Sequence, residues 1–291
     1  MTYFFIAVIT SLLIIATFKL FDKYNVDRLE ALILNYLIAS IGTFLYLKSS
    51  DDNFYLVIQT YFQQKWCLLS IINGFLFFVM FYIFSLSATK NGVSITAASS
   101  KMSVIIPVII AFLIYDEHIT PFKVIGILLA LASFYLMLKK ESNLNFIDKR
   151  YLLLPILLFF GGGTNDSIMN YVTVMQLNTQ PVGLYLFFVF TSSFIFSFIS
   201  YFIFIRKKTI LKKDNIIWGT ILGILNFLAT YYFLKTIESK VFDNTVFFPL
   251  FNMSIVGFSA LMGFTIFKEK LSKINWVGIA IAIIAIFLIT Y

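Results

Sequence analysis

Lys101 is the residue whose type and position demand a chemical explanation. It stands in GVSITAASSKMSVIIPVIIAFLIYDE, Gly92 to Glu117, a stretch that carries no other charge before Asp116. As a helix rising about 1.5 Å per residue, segment 92–115 is long enough to cross a hydrocarbon core of roughly 30 Å. That places Lys101 close to the bilayer midplane. An ammonium there costs at least ~2.5–3.5 kcal/mol to insert, so it must face protein or water and not lipid. Ser94, Ala97 and Ala98, seven, four and three positions earlier, leave room on that face. Two readings follow: a cation lining a transport cavity, or a lysine that snorkels or is neutralised by a structural partner.

A carboxylate could meet it. Asp166, beside Asn165 in FFGGGTNDSIMNYV, lies within another apolar run. Burying it there requires pairing, hydration or protonation. Lys101 and Asp166 could face each other across a cavity and exchange partners with a substrate or a proton. A static pair that only fixes packing is the structural alternative. Gly162, the middle of three consecutive glycines, permits close helix packing or a locally unwound turn. Asn244 and Asn252 lie eight positions apart, on one drifting helical face that also carries Phe248. Pro249 adjoins that face, and its missing N–H frees a carbonyl one turn earlier. Two amides there suit either small polar cargo or interhelical hydrogen bonds. Asn73 offers a further amide, and Tyr82 and Tyr232 each offer a ring with a hydroxyl. Pro107, Glu117 and Glu269 read as structural or gating residues; Thr120 and Ser272, three positions after the two glutamates, can cap the helices that follow.

Other chemistries lack their residues. Cys67 is the only cysteine and His118 the only histidine, so neither a disulfide nor a cysteine-based metal site is expected. No cofactor is implied. There is no HExxH and no Walker motif, which argues against a zinc enzyme and against direct use of ATP. An intramembrane enzyme acting on lipid would need a nucleophile–base or metal constellation that the chain does not offer.

The elements that must position these residues are membrane helices. Hydrophobic residues make up 60% of the chain, charged residues only 12% against about 25% in soluble domains, and mean hydropathy is +0.92. Too few polar side chains remain for a water-soluble surface, so the net charge of +8 reports orientation and not nucleic-acid binding. Hydropathy punctuated by charge gives ten spans, near 2–20, 29–47, 66–87, 92–115, 121–138, 151–173, 181–205, 215–237, 241–267 and 274–290. The first has no basic segment before it and no small-residue cleavage site after it, and reads as a retained span.

The charged connection 139–150 divides the spans into two sets of five, 1–138 and 151–291. Glu117, Thr120, Gly126 and Ala130 recur as Glu269, Ser272, Gly278 and Ala282 at one offset of 152. Because five is odd, a second set must enter from the opposite side of the membrane. The expected architecture is therefore all-α, ten transmembrane helices in two inverted five-helix repeats, with a site at midplane between them. Lysines and arginines concentrate after odd-numbered spans, as at Lys19, Arg28, Lys90 and Lys268, which puts both termini outside the cytoplasm.

Two segments carry a resemblance to a known family. NGVSITAASSKMSVIIPVIIAFLIYDEHITPFKVIGILLA in the first half, and ESKVFDNTVFFPLFNMSIVGFSALMGFTIFKEKLSKINWVGIAIA in the second, resemble EamA-type permeases of the drug/metabolite transporter superfamily. Pro107, Glu117 and Gly126, and again Pro249, Glu269 and Gly278, match that pattern of a proline-bearing helix, a Glu-containing turn and a Gly-opened final helix. The resemblance implies a cavity between the third, fourth, eighth and ninth spans, aided by the first and sixth. It implies a secondary transporter for a small polar or anionic metabolite in the bacterial inner membrane, driven by a proton, a counter-substrate or the substrate gradient. A flippase for lipid or a lipid-linked precursor would use the same fold. Expected partners are the substrate and the lipid bilayer, and no nucleic acid.

Overall fold

The computed structural model describes residues 1–50, 58–59, 61–115, 120–138, 151–176, 182–204, 212–239 and 244–290. Among these residues the regular structure is entirely helical: α1 Thr2–Leu20, α2 Arg28–Ser50, α3 Cys67–Lys90, α4 Val93–Met102, α5 Ile105–Tyr115, α6 Pro121–Leu138, α7 Leu153–Met175, α8 Val182–Phe204, α9 Lys213–Glu238, α10 Asn244–Thr265 and α11 Lys273–Thr290. A single 3-10 turn, Tyr61–Gln63, precedes α3. A backbone surrounded by hydrocarbon must satisfy its own N–H and C=O groups, and helices do so within one segment. Thr2–Leu20, Arg28–Lys48, Cys67–Lys90, Val93–Ile110, Val182–Ile203 and Lys213–Thr236 are each long and apolar enough to cross a membrane. Pro121–Met137, Leu250–Thr265 and Lys273–Leu288 are shorter apolar helices.

One expectation needs correction. Segment 92–115 is not one continuous helix. It breaks at Ser103–Val104, between α4 and α5. Pro107 is the cause: it has no N–H to offer the Ser103 carbonyl, and its ring crowds that carbonyl. The Ser103 carbonyl instead accepts from Ile106 N–H at 2.9 Å, a tighter turn. The break falls just after Lys101. The glycines of α7, by contrast, leave that helix unbroken from Leu153 to Met175.

The most extensive packing joins the first half of the chain to the second. α6 lies on α11, α4 on α10, and α2 on α8. α1 packs on α9 and α3 on α7; α2 also packs on α9, and α3 on α8. The two halves interleave and do not form separate lobes. α4 lies between two apolar clusters. Ala98 and Met102 point into one, with Ile105 of α5 and with Val256, Ala260 and Ala282, while Val93 and Ala97 point into the other, with Phe4, Phe251 and Ile255.

Candidate functional site

α4 is buried from Val93 to Ser99, then regains solvent access at Ser100 and Lys101. Val93, Ala97 and Lys101 follow one another at four-residue steps and share a face. That face looks toward α10, where the Lys101 Nζ lies 5.5 Å from the centre of the Phe251 ring. Lys101 also occupies the last turn of α4, where the helix dipole favours a cation. Beside it the Ser99 hydroxyl is buried without a hydrogen-bond partner.

α7 presents two exposed faces of different chemistry. Leu153, Leu157, Phe160 and Thr164 form one, an apolar stripe suited to acyl chains. Asp166 and Asn170 are exposed as well, yet at about 100° per residue they lie roughly 150° and roughly 110° round the helix from that stripe. The polar face looks toward the broken span. Gly162, one turn before Asp166, is set against Ser103. The Ser103 hydroxyl, which donates to the Ser100 carbonyl at 2.6 Å, lies next to Asp166. Asp166 and Lys101 are near enough to act on each other electrostatically, yet they form no ion pair among the described residues. A partly open pair of opposite charges, next to an aromatic face, can take a polar ligand between its members.

The polar face closes in one direction only. Phe159, seven residues before Asp166 and on the same side of α7, is buried against Phe134 at 4.9 Å, and Pro155 beyond it is buried too. Toward the C-terminus of α7, Asn170 is exposed and Thr173 half-buried. The other glycines explain how α7 comes so near its neighbours. A Cβ on Gly161 would fall 2.2 Å from the Met80 sulfur, and one on Gly163 would fall 2.4 Å from Ile106 Cδ1.

The remaining sequence candidates divide. Asn165 and Asn73 are buried; Oδ1 of the first and both amide atoms of the second have no hydrogen-bond partner. Asn252 is half-buried next to Phe251 on α10. Tyr232 packs in the same apolar cluster as Phe251, 6.1 Å from Tyr3. Tyr82 is exposed on the stripe of Leu68 and Phe75, at seven-residue steps, and belongs to an apolar outer face. Glu117 lies outside the described residues, as do the side chains of Asn244 and Pro249 in α10. Phe251, Ser103 and Asn170 were not singled out from sequence. Among so many phenylalanines and serines only the helix faces distinguish them, although Asn170 follows Asp166 by four positions and was within reach of a periodicity argument.

The end of the molecule opposite the open face is rich in charge. Glu269 accepts from the Val93 and Ser94 N–H groups at 2.6 and 3.2 Å and from the Ser94 hydroxyl at 2.9 Å, and it pairs with Lys19 at 3.2 Å. Asp22, in the turn after α1, pairs with Arg28 and with Lys90, the latter at 3.2 Å. Burial pushes the Asp22 carboxyl up, but Arg28 and Lys90 outweigh it and hold it below its ordinary value. The expected caps form: the Ser272 hydroxyl accepts from Asn275 N–H at 3.1 Å, and the Thr120 hydroxyl from Lys123 N–H at 3.3 Å.

An uncharacterized protein of Haemophilus influenzae is 27% identical over 290 residues, covering 98% of this chain and 96% of its own. A solved crystal structure shares the fold at a TM-score of 0.60 and 15% identity, covering 99% of this chain and 96% of that one. Residues 2–139, which include α1 to α6, match the model of the EamA-like transporter family. With that match residues 2–139 resemble the EamA-like transporter family, within the drug/metabolite transporter superfamily.

Proposed function

We propose that this protein is a secondary transporter that moves a small polar or anionic organic metabolite across the bacterial inner membrane by alternating access. The observation that carries the proposal is the polar face of α7 opposite Lys101: an exposed carboxylate and amide, turned away from the acyl-facing stripe and sealed on one side by Phe159. Lys101 binds an anionic or electron-rich group of the cargo, Asp166 binds its donor groups or a coupling proton, and Phe251 supplies an apolar wall.

The scaffold is read as ten spans in two inverted repeats, 1–138 and 151–291, joined by 139–150. The helix pairings support this reading, because they are largely preserved when each span is exchanged with the one five places on. Fifth on tenth, fourth on ninth and second on seventh map onto themselves; first on eighth maps onto sixth on third. The charge distribution supports a cytoplasmic location for the end carrying Lys19, Arg28 and Lys90, with both termini on the other side. On this reading the end sealed by Phe159 is the cytoplasmic one.

The test has two steps. A thermal-shift screen of purified protein against amino acids, nucleobases, organic acids and phosphorylated sugars identifies a ligand. Transport in proteoliposomes is then measured for Lys101→Ala and Asp166→Asn. Each loses at least about tenfold in ligand affinity or transport, the scale of one charge-assisted hydrogen bond, while remaining folded. Unchanged transport by folded Lys101→Ala removes that residue from the site.

A further inference from the structure

We infer that Glu269 is the latch that holds the lysine-rich end of the pathway shut, by gripping the N-terminus of the half-helix whose C-terminus carries Lys101. The inference rests on the transporter reading above but concerns the closed end of the pathway and not the cargo site.

Glu269 is a built contact and not an incidental surface pair. Its side chain is only 10% exposed and takes four donors: two backbone N–H groups and a hydroxyl from the first turn of α4, and the Lys19 ammonium from α1. A carboxylate at a helix N-terminus completes orphan donors and meets the positive end of the dipole. The space for it is made by two glycines. Gly92 caps α4 with φ of 95°, and a Cβ there would lie 2.8 Å from a Glu269 oxygen. A Cβ on Gly263 would lie 2.2 Å from the Ser94 hydroxyl and 2.5 Å from the other Glu269 oxygen. Lys268, the residue before the glutamate, takes a left-handed φ of 52°, a strained conformation for a side chain of that size. That turn carries the chain back from α10, closed by Glu269 N–H on the Gly263 carbonyl at 2.9 Å. Chain geometry is thus bent to deliver one carboxylate to one helix end.

What it holds is a lever. α4 is short, buried along nearly its whole length, and separated from α5 by the break at Ser103–Val104. It can therefore move without dragging α5. With Glu269 in place, three helices, α1, α4 and α10, are tied at the lysine-rich end. With Glu269 withdrawn, α4 is released there, and Lys101 at its other end changes its relation to Asp166. Cargo that pulls Lys101 works against the latch, and the latch keeps the end closed when the site is empty.

The experiment reads the two ends separately and needs no substrate. In a Cys67→Ser background, Ala97→Cys reports on the buried α4 face between latch and Lys101, and Asn170→Cys reports on the open side. Labelling by a water-soluble maleimide is timed in lipid nanodiscs. Glu269→Gln is expected to speed labelling at position 97 by about tenfold or more and to slow it at position 170, the effect of losing one hydrogen-bonded charge from a two-state balance. Lys19→Gln, which leaves the helix cap intact, is expected to move both rates in the same directions by less, and it carries the test if Glu269→Gln does not fold. Unchanged rates, or equal acceleration at both positions, would make Glu269 a static cap and overturn the inference. Because no transport is measured, failure of the latch is distinguishable from failure of the transporter reading.

Discussion

Lys101 and Asp166 face a choice of partners that most buried charges do not have. Each is near enough to feel the other, and neither side chain is wholly covered by protein. A closed pair would satisfy both charges and leave nothing for cargo; an isolated charge would be too costly to keep in the membrane. Both residues were legible in the sequence, because a charge within an apolar run stands out against hydropathy. Phe251 was not, since one ring among many gives no signal until helix faces are known. The partners of Glu269 were equally hidden: Ser94 lies 175 positions away, and no local pattern records such a contact. At this scale Asp22 supplies a prediction about pH. Its carboxyl is held below the ordinary value by Arg28 and Lys90. A depressed folded pKa gives stability that is complete above the unfolded value of about 3.9 and is lost as pH falls through the folded one. Asp22→Asn should therefore lower Tm at neutral pH and leave less further loss on acidification. The difference in Tm between wild type and variant, followed from neutral pH to below about pH 4, should shrink toward zero.

Single elements test the geometry more sharply. The uncharged length of 92–115 marked a helical segment but did not show that Pro107 would break it, because the outcome depends on which neighbour takes the freed carbonyl. Pro107→Ala restores the N–H that reaches Ser103 and should join α4 to α5. Thermal stability is expected to rise and turnover to fall, since a continuous helix no longer lets α4 move alone. A rise in both would separate the break from transport. The glycines of α7 give a graded prediction. A Cβ at Gly162 meets Ser103 at 3.4 Å, which the structure can absorb, whereas one at Gly163 meets Ile106 Cβ at 2.6 Å. Gly163→Ala should cost about 1–3 kcal/mol and lower Tm visibly, and Gly162→Ala should be far milder. The sequence allowed either close packing or unwinding at these glycines; the distances decide for packing.

At the scale of the whole molecule, the transporter reading requires water to reach one face of α7 and not the other. Long apolar segments punctuated by charge were enough to anticipate an all-helical membrane protein, because hydrophobicity acts through length and composition alone. The interleaving of the halves was not legible, since it depends on which small residues let which helices approach. The central claim is that a hydrated polar face lies between α7 and the broken span, distinct from the face that meets lipid. The direct measurement uses single cysteines on α7 in the Cys67→Ser background, reconstituted in nanodiscs and exposed to a water-soluble thiol reagent. The account predicts rapid labelling of Asp166→Cys and Asn170→Cys, and slow labelling of Leu157→Cys and Phe160→Cys. Slow labelling at 166 and 170 together with fast labelling at 157 and 160 would contradict it.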